Sequence, residues 1–150
     1  MIGDNLTGDA LYAYTAGIID GEGNINIYRV TSPEDKPRYA MRIAVGSTEP
    51  WLPEFLKSKF GGNVYLRPSK TKAHKDCWIW TVAAKKATPL LNKILPYLCL
   101  KHEQAELALQ FQSRRKNRHI LMPQEKILDA ADKILMMSYN RKGQKTKEVC

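Results

Sequence analysis

The chain has 150 residues, 43% apolar and 26% charged, enough apolar matter for one core of ordinary size and too short a chain for two independent domains. Lysine and arginine number 24 against 15 aspartates and glutamates, a formal net charge of +9 that suits a polyanionic partner, nucleic acid first. No apolar run reaches the roughly 18 residues a bilayer-spanning helix needs, so no membrane partner is expected.

Cys77, Cys99 and Cys150 are widely separated and form no Cys-x-x-Cys or Cys/His cluster, which points away from structural zinc and toward a reducing compartment. The first residues carry Asp4 and Asp9 and no basic, apolar leader, so no targeting segment is expected and synthesis and action share a compartment.

Asp9 to Asp20 reads as a first helix with Asp9 as N-cap and a Gly-acid-Gly stop. Asn24 to Val30 alternates Ile25 and Ile27 against Asn24, Asn26 and Tyr28. After a proline-containing turn, Arg38 to Val45 sets Tyr39, Met41, Ile43 and Val45 against Arg38, Ala40, Arg42 and Ala44. This is a hairpin with one apolar and one basic face. A helix from about Glu49 to Phe60 follows, capped by Ser47 or Thr48, with Pro50 in its first turn, and stopped by Gly61 and Gly62. Val64 to Ser69 and Cys77 to Ala83 form a second hairpin around the basic loop Lys70 to Lys75. A third helix opens at Thr88-Pro89, and two more cover Lys101 to Gln112 and Gln124 to Ser138. The spacing of Trp51, Phe55, Trp78 and Trp80 matches the apolar rows, which assigns them to the core. The order predicts an α+β fold: an αββαββα core in one domain spanning 1–150, with a four-stranded antiparallel sheet, helices on one face, and 140–150 as a mobile basic tail. A twisted sheet with one basic face can enter the major groove of a duplex.

The segment Tyr14 to Gly23 carries the sharpest chemistry. Ala13 and Gly17 stand four apart with Ala16 beside them, and small residues at that spacing let two helices approach closely. Asp20 and Glu22 fall where the helix dipole is negative, which costs about 0.3 to 1 kcal/mol for each carboxylate. A divalent cation would offset that cost, and Gly21 and Gly23 leave room for a backbone carbonyl to join it. On the residues alone two readings stand. In the more ordinary one, Ala13 and Gly17 pack inside a single chain and the acids end a helix in solvent. In the other, two copies pair through the seam and bring their carboxylates together.

Thr15 to Gly23, TAGIIDGEG, resembles the nine-residue LAGLIDADG motif and precedes two strand-strand-helix units, as in single-motif LAGLIDADG homing endonucleases of the chloroplast intron type. Thr15 replaces the opening Leu and Glu22 the more usual final Asp. Leu95 to Leu109 is similar to the stretch after the last strand in those enzymes, and Asn140-Arg141-Lys142 resembles their basic C-terminal loop. The resemblance implies a homodimer whose saddle binds long double-stranded DNA sites and cleaves them by metal-dependent hydrolysis, leaving 3′ overhangs. It implies Mg2+, with Mn2+ or Ca2+ also able to bind. Glu22 would hold the metal with the Gly21 carbonyl nearby, Lys101 would match the active-site lysine, and Ser47 falls near the family's water-positioning residue. No counterpart of an arginine found in some relatives stands in Thr48-Glu49-Pro50. Ala13, Ala16, Gly17 and Asp20 would form the dimer interface, Asp20 in a structural role at the helix end.

Alternation then selects the DNA readers: Asn24, Asn26, Tyr28, Arg38, Arg42, Tyr65, Arg67, Ser69 and Thr81. Lys142 and Lys145 would hold phosphates without choosing sequence. The resemblance leaves two other readings: an intron RNA-splicing maturase, and a non-cleaving, sequence-specific DNA-binding protein. It implies a chloroplast, a mitochondrion or a prokaryotic cytoplasm.

Overall fold

The computed structural model of the protein describes residues 2–31, 38–115 and 122–149, with side chains as far as 141. Most of the turn at 31–37, most of the basic run at 114–119 and the side chains of Lys142 and Lys145 therefore lie outside the described residues. The elements are α1 (Gly8–Glu22), β1 (Gly23–Val30), β2 (Arg38–Ser47), α2 (Trp51–Phe60), β3 (Asn63–Arg67), β4 (Cys77–Ala83), α3 (Thr88–Ile94), α4 (His102–Ser113) and α5 (Pro123–Val149). The expected αββαββα order is present, extended by two helices.

The four strands form one antiparallel sheet in the order β1-β2-β4-β3. Ile25 pairs with Ile43, which pairs with Val82, while Val45 pairs with Trp80, which pairs with Val64. These register lines put the large apolar side chains of the inner strands, Ile79 excepted, on one face, and Ile25, Ile27, Met41, Ile43, Val45, Trp80 and Val82 are buried there. Helices α1, α2 and α4 pack against the sheet, α5 also meets β1 and β2, and the other face is open at Asn24, Arg38, Tyr65 and Arg67, all exposed.

Helix α1 turns Leu11, Thr15, Ala16 and Ile19 into the core. Thr15 is tolerated there because its hydroxyl donates to the Leu11 carbonyl at 2.8 Å, leaving its methyl to pack. Two boundary expectations fail. The N-cap is Thr7, with Asp9 inside the first turn, where its carboxylate accepts the Tyr97 hydroxyl and thereby holds that phenol above its ordinary pKa. The helix stops at the last residue of the Gly-acid-Gly stretch, Gly23, and not before it, so it includes Gly21 and Glu22.

Helix α2 starts at Trp51 with Pro50 as its N-cap, two residues later than expected, and Ser47 serves the turn before it. Trp51 stacks on Phe55 at 5.0 Å. The loop behind α2 is set by two glycines with φ of +72° and +88°, Gly61 and Gly62, and the Gly61 carbonyl accepts the Trp80 indole N–H at 2.8 Å. The largest core side chain is thus satisfied by the turn that ends α2. Helix α5 runs past the expected Ser138: the tail expected from Asn140 continues as helix to Val149, and the Asn140 side chain donates to the Ile25 carbonyl at 3.2 Å. Met136 is fully buried and Met137 is exposed. At the other end of α5, Arg114 donates to Asp129 at 3.1 Å and Asp132 at 2.6 Å, and Arg115 to Asp129 at 2.7 Å. Burial of Arg114 opposes its charge, but bonds to Asp132 and Asp129 outweigh it and raise its pKa.

At Gly62 an added Cβ would collide with the Thr81 carbonyl, at a φ that L residues avoid. Gly62→Ala is therefore expected to lower unfolding free energy by at least about 2 kcal/mol, read as a shifted urea midpoint with unchanged m-value. An unchanged midpoint would mean that the turn relaxes freely.

Candidate active site and nucleic-acid interface

Helix α1 passes into β1 without a loop. Gly23 closes the helix by donating its N–H to the Ile19 carbonyl and then pairs with Val45 as the first residue of the strand. Its φ of −89° is open to any residue. Glycine is needed because a Cβ would sit 2.7 Å from Ile19 Cα and 2.9 Å from its oxygen.

The two acids at this junction differ sharply. Asp20 Oδ2 accepts the N–H of Cys99 at 2.8 Å, and its Oδ1 accepts those of Leu100 and Lys101 at 3.1 and 3.0 Å. Lys101 answers from the other side: its Nζ donates to the carbonyls of Ile19 and Asp20 at 2.9 and 2.6 Å. Lys101 is also the N-cap residue of α4. The Asp20 carboxylate thus receives donors at the start of α4, and the lysine caps the end of α1. Glu22 is exposed, and no hydrogen bond or ion pair reaches its carboxylate among the described residues. Among those residues no group of three or more His, Cys, Asp or Glu side chains converges to hold a metal within one chain.

The outer face of α1 presents Ala13, Gly17 and Gly21, all exposed, and a Cβ built on either glycine meets nothing within 4 Å. Ala16, expected on this seam, is wholly buried, turned about 100° around the helix from Gly17. A step of four from Ala13 reaches Gly17 and then Gly21, whereas Ala16 stands one position short of that row.

Ser47 ends β2 beside the α1–β1 junction, since Gly23 pairs with Val45 two residues earlier. It pairs with Trp78, and its hydroxyl accepts the Glu49 N–H at 3.0 Å.

The register lines bring the expected readers to the open face. Asn24, Asn26 and Tyr28 of β1 stand opposite Ala44, Arg42 and Ala40 of β2, and Arg38 opens β2 opposite Val30. Thr81 pairs with both Ala44 and Asn63, while Tyr65 and Arg67 pair with Ile79 and Cys77. The Arg42 guanidinium lies over the Tyr28 ring at 4.6 Å, a diagonal cross-strand contact that holds it flat on the sheet. Ser69 is a correction. It lies beyond β3, with its N–H donating to Asp76 at 2.8 Å and its hydroxyl to the Thr71 carbonyl at 2.7 Å, so it builds the loop.

Two features escaped sequence reasoning. Ile79 lies on the open face yet is buried, because Gly46 beside it has no side chain and leaves room for it: a Cβ there would sit 2.9 Å from Ile79 Cδ1. The signal was Gly46 within an alternating strand. The other is Lys133 of α5, whose pKa is lowered first by burial and then by the neighbouring Arg42 charge. No local pattern announces that contact.

Solved structures share this fold. The homing endonuclease I-CvuI, in complex with its target in the presence of 2 mM Ca, is 24% identical with a TM-score of 0.74, over 87% of this chain and 82% of that one. The archaeal intron-encoded homing endonuclease I-Vdi141I, complexed with DNA, is 14% identical with a TM-score of 0.73, over 87% of this chain and 84% of that one. The LAGLIDADG homing endonuclease I-LtrWI, bound to target DNA, is 19% identical with a TM-score of 0.68, over 89% of this chain but only 45% of that one. The chain has the LAGLIDADG homing endonuclease fold. No protein-family model matches its sequence, and no curated protein matches it. Within this LAGLIDADG fold, Thr15–Gly23 forms the second half of α1 and its join to the sheet.

Asp20→Ala removes the acceptor of three N–H groups and is expected to cost about 1 to 3 kcal/mol of stability, with Asp20→Asn in between. Hydrogen exchange should quicken at Cys99, Leu100 and Lys101 before the rest of α4. Unchanged exchange at those three amides would show that water replaces the carboxylate without loss.

Proposed function

We propose that two copies of this chain form a LAGLIDADG homing endonuclease that cleaves both strands of a long pseudo-palindromic DNA site, leaving 3′ overhangs. The observation that carries this reading is Glu22: a carboxylate with no partner among the described residues, fixed at a rigid helix–strand junction beside an exposed seam of small residues. The seam of Ala13, Gly17 and Gly21 favours a close helix pair, which would bring the two Glu22 side chains together on the dimer axis. That a longer chain such as I-LtrWI is spanned for less than half its length supports a unit that works in pairs.

The donor set fits a hard divalent cation. Glu22 offers carboxylate oxygens, the open backbone at Gly21 can offer a carbonyl, and Asp20 is withheld by its three N–H bonds. When bound, such a cation, Mg2+ foremost, supplies a water of lowered pKa and charge neutralisation at the leaving 3′ oxygen. Glu22 holds the position. Lys101 keeps its ammonium against the last carbonyls of α1, fixing the helix end from which Glu22 projects. Ser47 sits at the neighbouring strand end, where its hydroxyl can orient water once the Glu49 amide shares it.

The open faces of two sheets would each follow one half-site of about one helical turn, roughly 20 base pairs in all. Arg38, Arg42 and Arg67 suit guanine and Asn24 and Asn26 adenine, with Tyr28, Tyr65 and Thr81 between them. Lys142 and Lys145 belong to phosphate contacts.

Magnesium-dependent cutting of a randomised duplex library, with the ends sequenced, tests this directly. Wild-type protein should enrich pseudo-palindromic ends, and Glu22→Gln should bind the same sites while cutting at least about 100-fold more slowly. Near-normal cutting by the variant would remove Glu22 from the chemistry, and selective binding without any cutting would leave a DNA-binding protein on this fold.

Gly17→Phe separates assembly from folding. The open space around Gly17 means the monomer should unfold within about 1 kcal/mol of wild type, while sedimentation should show the dimer lost and cleavage with it. A dimer that survives the bulky ring would place the interface elsewhere.

A further inference from the structure

Helix α5 turns its apolar stripe away from the core. Among its described side chains only Asp129 and Met136 are buried, whereas Ile127, Leu128, Ile134 and Leu135 are 70, 48, 69 and 41% exposed, and Ala131 between them is exposed as well. At about 100° per residue these five fall within about 120° of the helix circumference, with Asp129 and Met136 on the far side. The helix cannot roll to hide them. Asp129 is held by Arg114 and Arg115, and Asn140 by the Ile25 carbonyl, so the inner face is fastened near both ends.

A stripe of this size is more than singly scattered surface residues explain, and it calls for a cover. Its pattern names the cover. Two large aliphatics, two residues, Ala131, two residues and two large aliphatics have the same form in either direction. An identical helix running antiparallel therefore sets Ile127 against Leu135, Leu128 against Ile134 and Ala131 against its own copy. Ile127 and Ile134 stand one heptad apart, as do Leu128 and Leu135, which keeps both pairs on one seam, and the small central side chain admits close approach. Between Gln124 and Ser138 the stripe carries no ionisable side chain. In a chain of net charge +9 that sets it apart, because a basic surface repels its own copy. Two such faces together bury about 1,000 Å², where specific interfaces begin, so the pair is weak and forms at about 10 μM and above.

We propose that the outer face of α5 is a self-association surface, on which two copies of the chain pair antiparallel about a two-fold axis at Ala131. It belongs to a different helix from the α1 seam and does not rest on the cleavage reading. Where α1 pairs as well, α5 joins one such pair to the next; where it does not, α5 joins two single chains.

Sedimentation of the full chain in about 0.5 M salt, which screens the net charge, tests this. Between about 1 μM and about 200 μM protein the mass should rise about twofold or more. Ile134→Lys, at an exposed position, should keep the wild-type unfolding temperature and hold the dilute mass at both concentrations. Ile127→Glu and Leu135→Lys should each lose the rise alone and recover it when mixed, because only the antiparallel register sets the two substituted positions against each other. A wild-type mass independent of concentration would overturn the pair, as would a rise that Ile134→Lys leaves intact. That constant mass together with a lowered unfolding temperature in Ile134→Lys would mean that the stripe is covered within its own chain. No recovery on mixing would overturn the antiparallel register. The dilute mass reports on α1 and the rise with concentration on α5, so either can fail without the other.

Discussion

The junction of α1 with α4 rests on an exchange of charges between two helix ends. The last carbonyls of α1 form the negative pole of its dipole, and the first amides of α4 the positive pole of another. Asp20 stands on the wrong helix end by that rule but spends its carboxylate on the Cys99, Leu100 and Lys101 amides, and Lys101 returns its ammonium to the α1 carbonyls. The end of α1 is thus capped by Lys101, and the three amides that lead into α4 are held by Asp20, across about eighty positions of sequence. A loss on either side exposes orphaned groups on both.

That bracket decides which acid is left for chemistry. Two carboxylates at one helix end call for a cation in the sequence, but α4 meets the need of the first. Glu22 alone keeps its oxygens unspent. Because Gly23 turns from helix directly into strand, Glu22 shares one stiff backbone with Asn24 and Asn26, the first side chains of the open face. No flexible segment separates Glu22, the position proposed for catalysis, from the surface that would read a duplex. The distance between a cut and the bases that specify it would be set by strand geometry, at about 3.4 Å per residue.

Alternating strands were the most legible part of the chain. Cys77–Ala83 has the bounds its pattern predicts, and the two faces of β2 are those the residues dictate, because one buried face imposes a period of two. Helix ends were less legible. Glycines 21 and 23 look alike in sequence, yet only the second meets its own helix closely enough to require glycine. Ala16 and Gly17 are adjacent small residues about 100° apart around the helix, one buried and one exposed, which composition cannot separate without the phase of the helix. Ser69 kept the strand parity but lay past the strand, where the loop claimed its hydroxyl. The role of Lys101 at α1 was out of reach of any local pattern, since its partners lie some eighty residues away.

The far end of the molecule obeys the same economy of charge. Asp129 is almost wholly buried and faces two arginines, so the start of α5 is tied to the end of α4 by a network that cannot lose one member without stranding another. Further along, Asn140 fastens α5 to the outer strand at Ile25. These two anchors fix the segment between them, and Lys133 lies in it. Burial first, and then the neighbouring Arg42 charge, lower its pKa. Any anion lying over Lys133 and Arg42 would offset that like-charge repulsion.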